Sequence, residues 1–347
     1  MLKLITWKHT QNPEPRTQNP EPRTQHLAPR TQHPDPSMLH FTTSDIRSRI
    51  SMATAVALMK DAFRQLSSGK ATVPVRTVID TGNKSGRALF MPSYSPAYNL
   101  FGLKMVSVFA NNPNHALPAI QGLMMVMDGK TGTPLATFDA EYLTALRTGA
   151  ASGLATDILS GKESKILALF GTGGQAETQL EGILAVRKIE EVIVFGQNRE
   201  KIADFCKKVS HENKTRIYPG NVSDLKRADI ICTATTSTTP VFRSTDIKDG
   251  VHINGIGSFK PDMQEIPEEL VQVATLIVDQ RAASLEEAGD IVIPLTKGLI
   301  TKDHIKAELG EIVDDPSKGR RSHNEITIFK SVGNAIQDLA LANYLLK

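Results

Sequence analysis

The spacing of apolar residues changes twice between positions 165 and 190. Residues 166–170 (ILALF) form an unbroken apolar run, the pattern of a strand buried on both faces. Gly171-Thr172-Gly173-Gly174-Gln175-Ala176 follows, after which Leu180, Ile183, Leu184 and Val186 recur at helical spacing. A second apolar run, residues 192–195, comes about 20 positions after the glycines. Strand, glycine-rich turn, helix and strand in this order predict a dinucleotide-binding unit. Gly171 permits the tight turn out of the strand, Gly173 lets a pyrophosphate approach the backbone, and Ala176 lets helix and strand pack closely. The helix N-terminus offers free N–H groups and the positive end of its dipole to the phosphates, with Thr172, Gly174 and Gln175 completing the loop. A plain glycine-rich turn is the alternative, and the two flanking strands favour the cofactor reading.

Before this unit the pattern differs. Ser51 is placed to cap a helix that carries Met52, Val56, Met59, Phe63 and Leu66 on one face and ends at Gly69. Strand-like segments follow at residues 76–80, 87–92, 101–109 and 121–128, separated by turn signals, and predict a mostly antiparallel sheet. An Ala-rich helix over residues 139–159 bridges to the dinucleotide unit. Further strands are expected near residues 217–218, 230–234, 251–256, 276–278 and 326–329, and a last helix over 332–346 returns to the first sheet.

Composition narrows the class. The 347 residues suggest two domains, and 40% hydrophobic with 22% charged residues is ordinary for a soluble protein. A net charge of +3 gives no reason to expect nucleic acid as a partner. No apolar run approaches about 18 residues, so no membrane span is expected. The nine histidines lack metal-ligand spacing, and no metal is expected. Cys206 and Cys232 make no disulfide framework and fit reduced thiols in a cytoplasmic enzyme. Residues 1–37 repeat a heptad, TQNPEPR twice and then two decayed copies. Pro13, Pro15, Pro20 and Pro22 exclude a coiled coil, and the polar, Pro-rich composition predicts a disordered, dispensable tail.

The end of the second strand bears on cofactor choice. It reads Val194-Phe195-Gly196-Gln197-Asn198-Arg199-Glu200-Lys201. NAD binders usually place an acid there for the ribose 2′-hydroxyl, and none stands at Gly196. Arg199 and Lys201, with Asn198 beside them, suit a 2′-phosphate, so NADP is expected in preference to NAD.

Several further stretches are specific when taken together: Val73-Pro74-Val75-Arg76-Thr77, LFMPSY at 89–94, Gly102-Leu103-Lys104, LTALRTG at 143–149, GTGGQA at 171–176, TATTSTTPV at 233–241, HINGIG at 252–257 and FKSVGNAIQD at 329–338. On these the chain resembles the ornithine cyclodeaminase/mu-crystallin family over residues 38–347. The resemblance implies an α/β fold: a Rossmann domain at 156–330 and a discontinuous α+β substrate-binding domain at 38–155 and 331–347, whose sheet dimerises with its twin. The substrate, a small cyclic imino or amino acid, would lie in the cleft between. Arg76 and Arg147 match substrate-carboxylate arginines, a role that suits the forked guanidinium, and Lys104 matches the substrate-contacting lysine. Lys104 also stands out unaided, because a charge inside an apolar run demands a partner or a function. Thr233, Ala234, Thr235 and Thr236 match a segment that passes the cofactor ribose. Ser331 and Gly333 match one near the nicotinamide, and the implied cofactor contacts extend to Thr148 and Gly257.

One departure decides among activities. The cyclodeaminases carry an Asp after the HINxxG stretch as general base, and counting from Asn254 places Phe259 in that slot. Phenylalanine accepts no proton, and Asp262 lies beyond Pro261 on a different backbone path. Deamination should be lost and hydride transfer kept. The expected activity is NAD(P)H-dependent reduction of a cyclic ketimine carboxylate, Δ1-pyrroline-2-carboxylate or its six-membered homologue, with Lys104 as the catalytic group. Ornithine cyclodeaminase, an alanine dehydrogenase-type enzyme and a mu-crystallin-like binding protein are the alternatives.

Overall fold

The computed structural model describes residues 38–82, 86–109, 111–210 and 215–347, so the proline heptads lie outside the described residues. The period-2 segments pair into a six-stranded sheet of β1 (Leu39–Phe41), β2 (Thr77–Asp80), β3 (Arg87–Ser95), β4 (Leu100–Val108), β5 (Ile120–Asp128) and β6 (Pro134–Asp139). Its order is β1-β6-β5-β4-β3-β2, antiparallel except that β1 runs parallel to β6. Helices α1 (Thr43–Arg49) and α2 (Met52–Ser67) follow β1, and Ser51 Oγ accepts from Thr54 N to cap α2 as expected. The apolar face of α2 buries Ala55, Met59, Ala62 and Phe63 completely. The bridging helix α3 (Ala140–Leu159) is buried on nearly all sides, which explains its Ala-rich sequence.

From residue 166 the chain alternates strands and helices: β7 (Ile166–Phe170), α4 (Ala176–Leu184), β8 (Glu191–Phe195), α5 (Arg199–Ser210), β9 (Arg216–Pro219), β10 (Ile230–Thr233), β11 (His252–Gly255), α6 (Glu268–Val273), β12 (Thr275–Val278), α7 (Arg281–Glu287), α8 (Gly289–Thr296), β13 (Ile305–Glu308), α9 (Leu309–Asp314), β14 (Thr327–Lys330) and α10 (Ala335–Leu345). These strands form one parallel sheet in the order β13-β12-β14-β11-β10-β7-β8-β9. The run β9-β8-β7-β10-β11 reproduces the doubly wound order, which reverses direction between β7 and β10. The fold is therefore α/β with a Rossmann-like parallel sheet. Residues 38–347 pack as one compact unit. Within it α3 lies against α4 so closely that a Cβ on Gly149 would meet Thr178 O at 2.0 Å.

Expectation and structure differ at three strands. The sequence pattern does not predict β1, β6 or β13; each is 3–6 residues long. The last helix begins at Ala335 rather than 332, because residues 331–333 form a turn with Gly333 at φ +79°. That helix does return to the first sheet, packing on β3 and β4.

Candidate active site

Strand β4 presents two unlike faces. Lys104 points inward and is 1% exposed, while Leu103 and Met105 on either side point outward at 38% and 44%. The inner face lies under α10, whose Asp338 Oδ2 accepts from Lys104 Nζ at 2.7 Å. Thr144 Oγ1 of α3 accepts from the same nitrogen at 3.2 Å. Asp338 Oδ1 stands 3.5 Å from Arg147 Nε, so two buried basic side chains share one buried carboxylate. Burial pulls the Lys104 pKa down to about 7 against the counter-pull of Asp338, and Arg147 and Arg76 push it the same way as burial. Burial also lowers that of Arg147, with Asp338 opposing.

The two arginines converge on Gly333 from different elements. Arg147 Nη1 donates to Gln337 Oε1 at 2.7 Å, and its guanidinium lies so close that a Cβ on Gly333 would meet Nη1 at 2.1 Å. Arg76, just before β2, donates from Nη2 to Val332 O at 2.6 Å and to Gly333 O at 2.9 Å. Asp279, fully buried beyond the end of β12, holds this turn: its Oδ2 accepts from Ser331 Oγ, Val332 N and Gly333 N at 2.8, 3.0 and 2.6 Å. Arg147 Nε, Asp338 Oδ1, Gln337 Nε2 and both side-chain amide atoms of Asn334 are buried without a hydrogen-bond partner. Orphaned groups at this density are uncommon in a finished core and suit a site that receives a polar ligand.

A cavity of about 300 Å³ opens beside Arg76, walled by Val78, Leu89 and Phe259 and by the charged Arg87, Lys260, Asp262 and Glu287. Of the three expected substrate cations only Arg76 lines it; Lys104 and Arg147 are packed with Asp338 behind the 333–338 segment. Phe259 occupies the cavity wall, and Asp262 is exposed on that wall despite its displaced position in the chain.

The expected cofactor loops meet at the switch point. Gly171 adopts φ +106°, and a Cβ there would strike Ala234 O at 2.4 Å, so the loop after β7 touches the loop after β10. A Cβ placed on Gly173 or Gly174 would meet nothing within 4 Å, which leaves open space at the N-terminus of α4. Gln175 Oε1 is buried there without a partner. This cradle, at the carboxyl edge of a parallel sheet, fits a dinucleotide pyrophosphate. Glu265, fully buried, ties the neighbouring loops: its oxygens accept from Thr233 Oγ1, Thr235 N, Gly257 N and Ser258 N at 2.6–3.1 Å. Thr236 continues the loop after β10. Thr148 is buried on α3, its hydroxyl bonded back to Thr144 O. Asn198 Oδ1 accepts from Lys201 N at the start of α5, and Arg199 and Lys201 are exposed beside it.

Sequence reasoning missed Asp338, Asp279, Glu287 and Glu265. Only Asp338 had a signal: a lysine inside an apolar strand requires a buried counter-charge. The other three are acids in ordinary polar contexts whose partners lie far away in the chain.

A model of the ornithine cyclodeaminase/mu-crystallin family matches residues 37–346. A Δ1-pyrroline-2-carboxylate reductase of Bacillus cereus is 38% identical over 311 residues, covering 89% of this chain and 95% of the relative. The structure of Thermococcus litoralis Δ1-pyrroline-2-carboxylate reductase in complex with NADH and L-proline aligns with a TM-score of 0.85 at 39% identity, covering 89% of this chain and 96% of the other. An archaeal alanine dehydrogenase dimer with bound NAD aligns with a TM-score of 0.84 at 33% identity, over 89% and 95% of the two chains.

Proposed function

The chain belongs to the ornithine cyclodeaminase/mu-crystallin family, and from that premise we propose that it is an NAD(P)H-dependent reductase of cyclic ketimine carboxylates. It takes Δ1-pyrroline-2-carboxylate or Δ1-piperideine-2-carboxylate to the cyclic L-amino acid. The observation that carries this reading is Phe259 on the cavity wall that Arg76 also lines, in the slot where the cyclodeaminases have their Asp. A phenyl ring cannot activate water or take a proton, but it can wall a small ring. The Bacillus cereus relative is named for this reaction, and the Thermococcus litoralis enzyme was solved with NADH and L-proline.

The residues divide the work. Arg76 Nη2 is anchored on backbone carbonyls and beside Glu287, and its Nη1, without a partner among the described residues, is left to donate to a substrate carboxylate. Arg147 supports the same turn from behind and, with Lys104, adds positive potential around the carboxylate. Lys104, with a pKa near neutrality and its Nζ held by Asp338, does not line the cavity, so it serves as the proton reserve from which water relays the proton that the ring nitrogen needs once the carbon is reduced. A nicotinamide bound at the 171–176 loop supplies the hydride for the imine carbon. NADPH is preferred through Arg199 and Lys201.

In this reading residues 38–155 with 331–347 hold substrate and residues 156–330 hold cofactor. The working form is a homodimer. On the outer face of the six-stranded sheet, Phe101, Leu103, Met105 and Leu123 are each 38–44% exposed on adjacent central strands, an apolar patch that a second copy would cover. Two unpaired, buried cysteines suit the cytoplasm.

A second reading is favoured by the archaeal alanine dehydrogenase. The open-chain imine of pyruvate offers Arg76 the same carboxylate and the same C=N bond. Three assays separate these readings: cyclic imine with NADPH, pyruvate and ammonia with NADH, and ornithine with NAD. Turnover of the cyclic imine supports the proposal. Turnover only with pyruvate makes it an alanine dehydrogenase, and turnover only with ornithine a cyclodeaminase. Tight cofactor binding with no turnover points to a binding protein.

A further inference from the structure

We propose that Glu265 is a positioning residue for the nicotinamide half of the cofactor. The inference rests on the dinucleotide-dependent reductase reading and adds to it the group that aligns the loops under that half. A strip of backbone runs from the 171–176 turn to the substrate cavity. Gly171 touches the loop after β10, where its Cβ would meet Ala234 O. That loop touches the one after β11, where a Cβ on Gly257 would strike Thr235 O. Gly257 leads through Ser258 into Phe259, which walls the cavity. The acid slot at the end of β8 marks the adenosine side, so the other half of a dinucleotide falls on the side of β10 and β11. A cofactor with its pyrophosphate at the 171–176 turn brings its nicotinamide to an imine beside Phe259 by lying along this strip.

Glu265 holds the strip with a single carboxylate. Its Oε1 accepts from Thr235 N at 2.6 Å, and its Oε2 accepts from Thr233 Oγ1, Gly257 N and Ser258 N at 3.0, 2.7 and 3.1 Å. Pairing of β10 with β11 ends at Thr233 and Gly255, so past the sheet Thr235 is fixed to the other loop through this carboxylate. Glu265 is itself anchored on α8. Asp290 Oδ1 accepts from Glu265 N and Ile266 N at 2.7 and 3.0 Å, and Asp290 Oδ2 accepts from Ser258 Oγ at 2.7 Å. Lys330 Nζ, 3.2 Å from Asp290 Oδ2, supplies a buried counter-charge. Glu265 is 0% exposed, so it touches no ligand and acts through the loops.

All four partners donate, so an amide cannot take the place of the carboxylate. In Glu265→Gln the NH₂ faces either Thr235 N or the Gly257 and Ser258 N–H pair, donor against donor. Turning it towards Thr235 costs fewer bonds and frees the loop after β10, while the loop after β11 stays held.

Whole and half cofactors test this. Calorimetry on the cofactor-free protein compares NADPH with its adenosine half, adenosine 2′,5′-bisphosphate, or NADH with ADP should NADH bind more tightly. Glu265→Gln should weaken the whole cofactor at least about tenfold and leave the half within about twofold of wild type. Glu265→Asp keeps the charge but shortens the reach. It should show the same pattern, and it carries the test if the amide variant does not fold. If the variants weaken cofactor and half equally, Glu265 merely supports the fold and the proposal falls. It falls also if Glu265→Gln binds the whole cofactor as the wild type does. Wild-type binding by Glu265→Asp would overturn it too, because charge and not alignment would then be what matters. Failure of the dinucleotide reading looks different: the wild type would bind neither the cofactor nor its half.

Discussion

Lys104 Nζ and Asp338 Oδ2 meet at 2.7 Å in the interior although 234 positions separate them in the chain. Both side chains are 1% exposed or less, and Arg147 shares the same carboxylate. Removing Asp338 leaves two buried cations uncompensated. Asp338→Asn should lower unfolding free energy by roughly 3–5 kcal/mol, the usual loss when one partner of a buried pair is deleted. Urea denaturation measures it. Replacing all three ionic side chains with apolar ones of similar volume should recover much of that loss while abolishing activity.

The same pair sets a pH limb. Lys104 must be protonated to donate, and burial brings its pKa to about 7. The donor is present below that value and lost above it, so kcat/KM for the imine should fall about tenfold per pH unit on the alkaline side. Lys104→Gln should lower the plateau and remove the limb, which separates it from ionisation of the substrate. Stability has the opposite sense. An unfolded lysine keeps its proton to about 10.5, so the unfolded chain binds more protons between about 7 and 10.5. Across that window the contribution of Lys104 should make the protein more stable as pH rises.

The alternation on β4 that buries Lys104 also exposes Leu103 and Met105 on the opposite face. Leu103→Lys places a charge at the centre of the proposed dimer surface. Sedimentation should show the wild type as a dimer and the variant as a monomer at micromolar concentration. A wild-type monomer would remove the reason for the apolar patch.

Much of this architecture was legible in local sequence. The change from strand to helix spacing around Gly171 located the glycine-rich turn between β7 and α4, because Gly171 meets a local steric demand there, with positive φ and Ala234 O in the place of a Cβ. Ser51 and Gly69 bounded α2 for equally local reasons. What stayed hidden was long-range. The 3-residue β1 and the 4-residue β13 are too short to show a period, and they form strands because β6 and β12 offer edges. Asp279 and Glu287 read as ordinary surface acids, and only the fold brings them to Gly333 N and Arg76. Phe259 could be counted into its slot from Asn254, but that Asp262 shares the same cavity wall depended on the loop's path.

Cofactor choice can be reversed at one position. A Cβ on Gly196 would make only ordinary contact with Ile202, at 3.4 Å, so an acid fits there. Gly196→Asp should move preference from NADPH towards NADH, by accepting from the ribose 2′-hydroxyl and repelling the 2′-phosphate. The ratio of kcat/KM for the two cofactors reports the shift, and an unmodified protein that prefers NADH would contradict the role given to Arg199 and Lys201.

The most direct measurement is the initial rate of NADPH oxidation with Δ1-pyrroline-2-carboxylate, with the product resolved by chiral chromatography. The account predicts saturable oxidation and L-proline in equal amount, reduced about ten- to a hundredfold in kcat/KM by Arg76→Ala through loss of a charge-assisted bond. No oxidation with this imine or its six-membered homologue, together with ammonia released from ornithine and NAD, would contradict it.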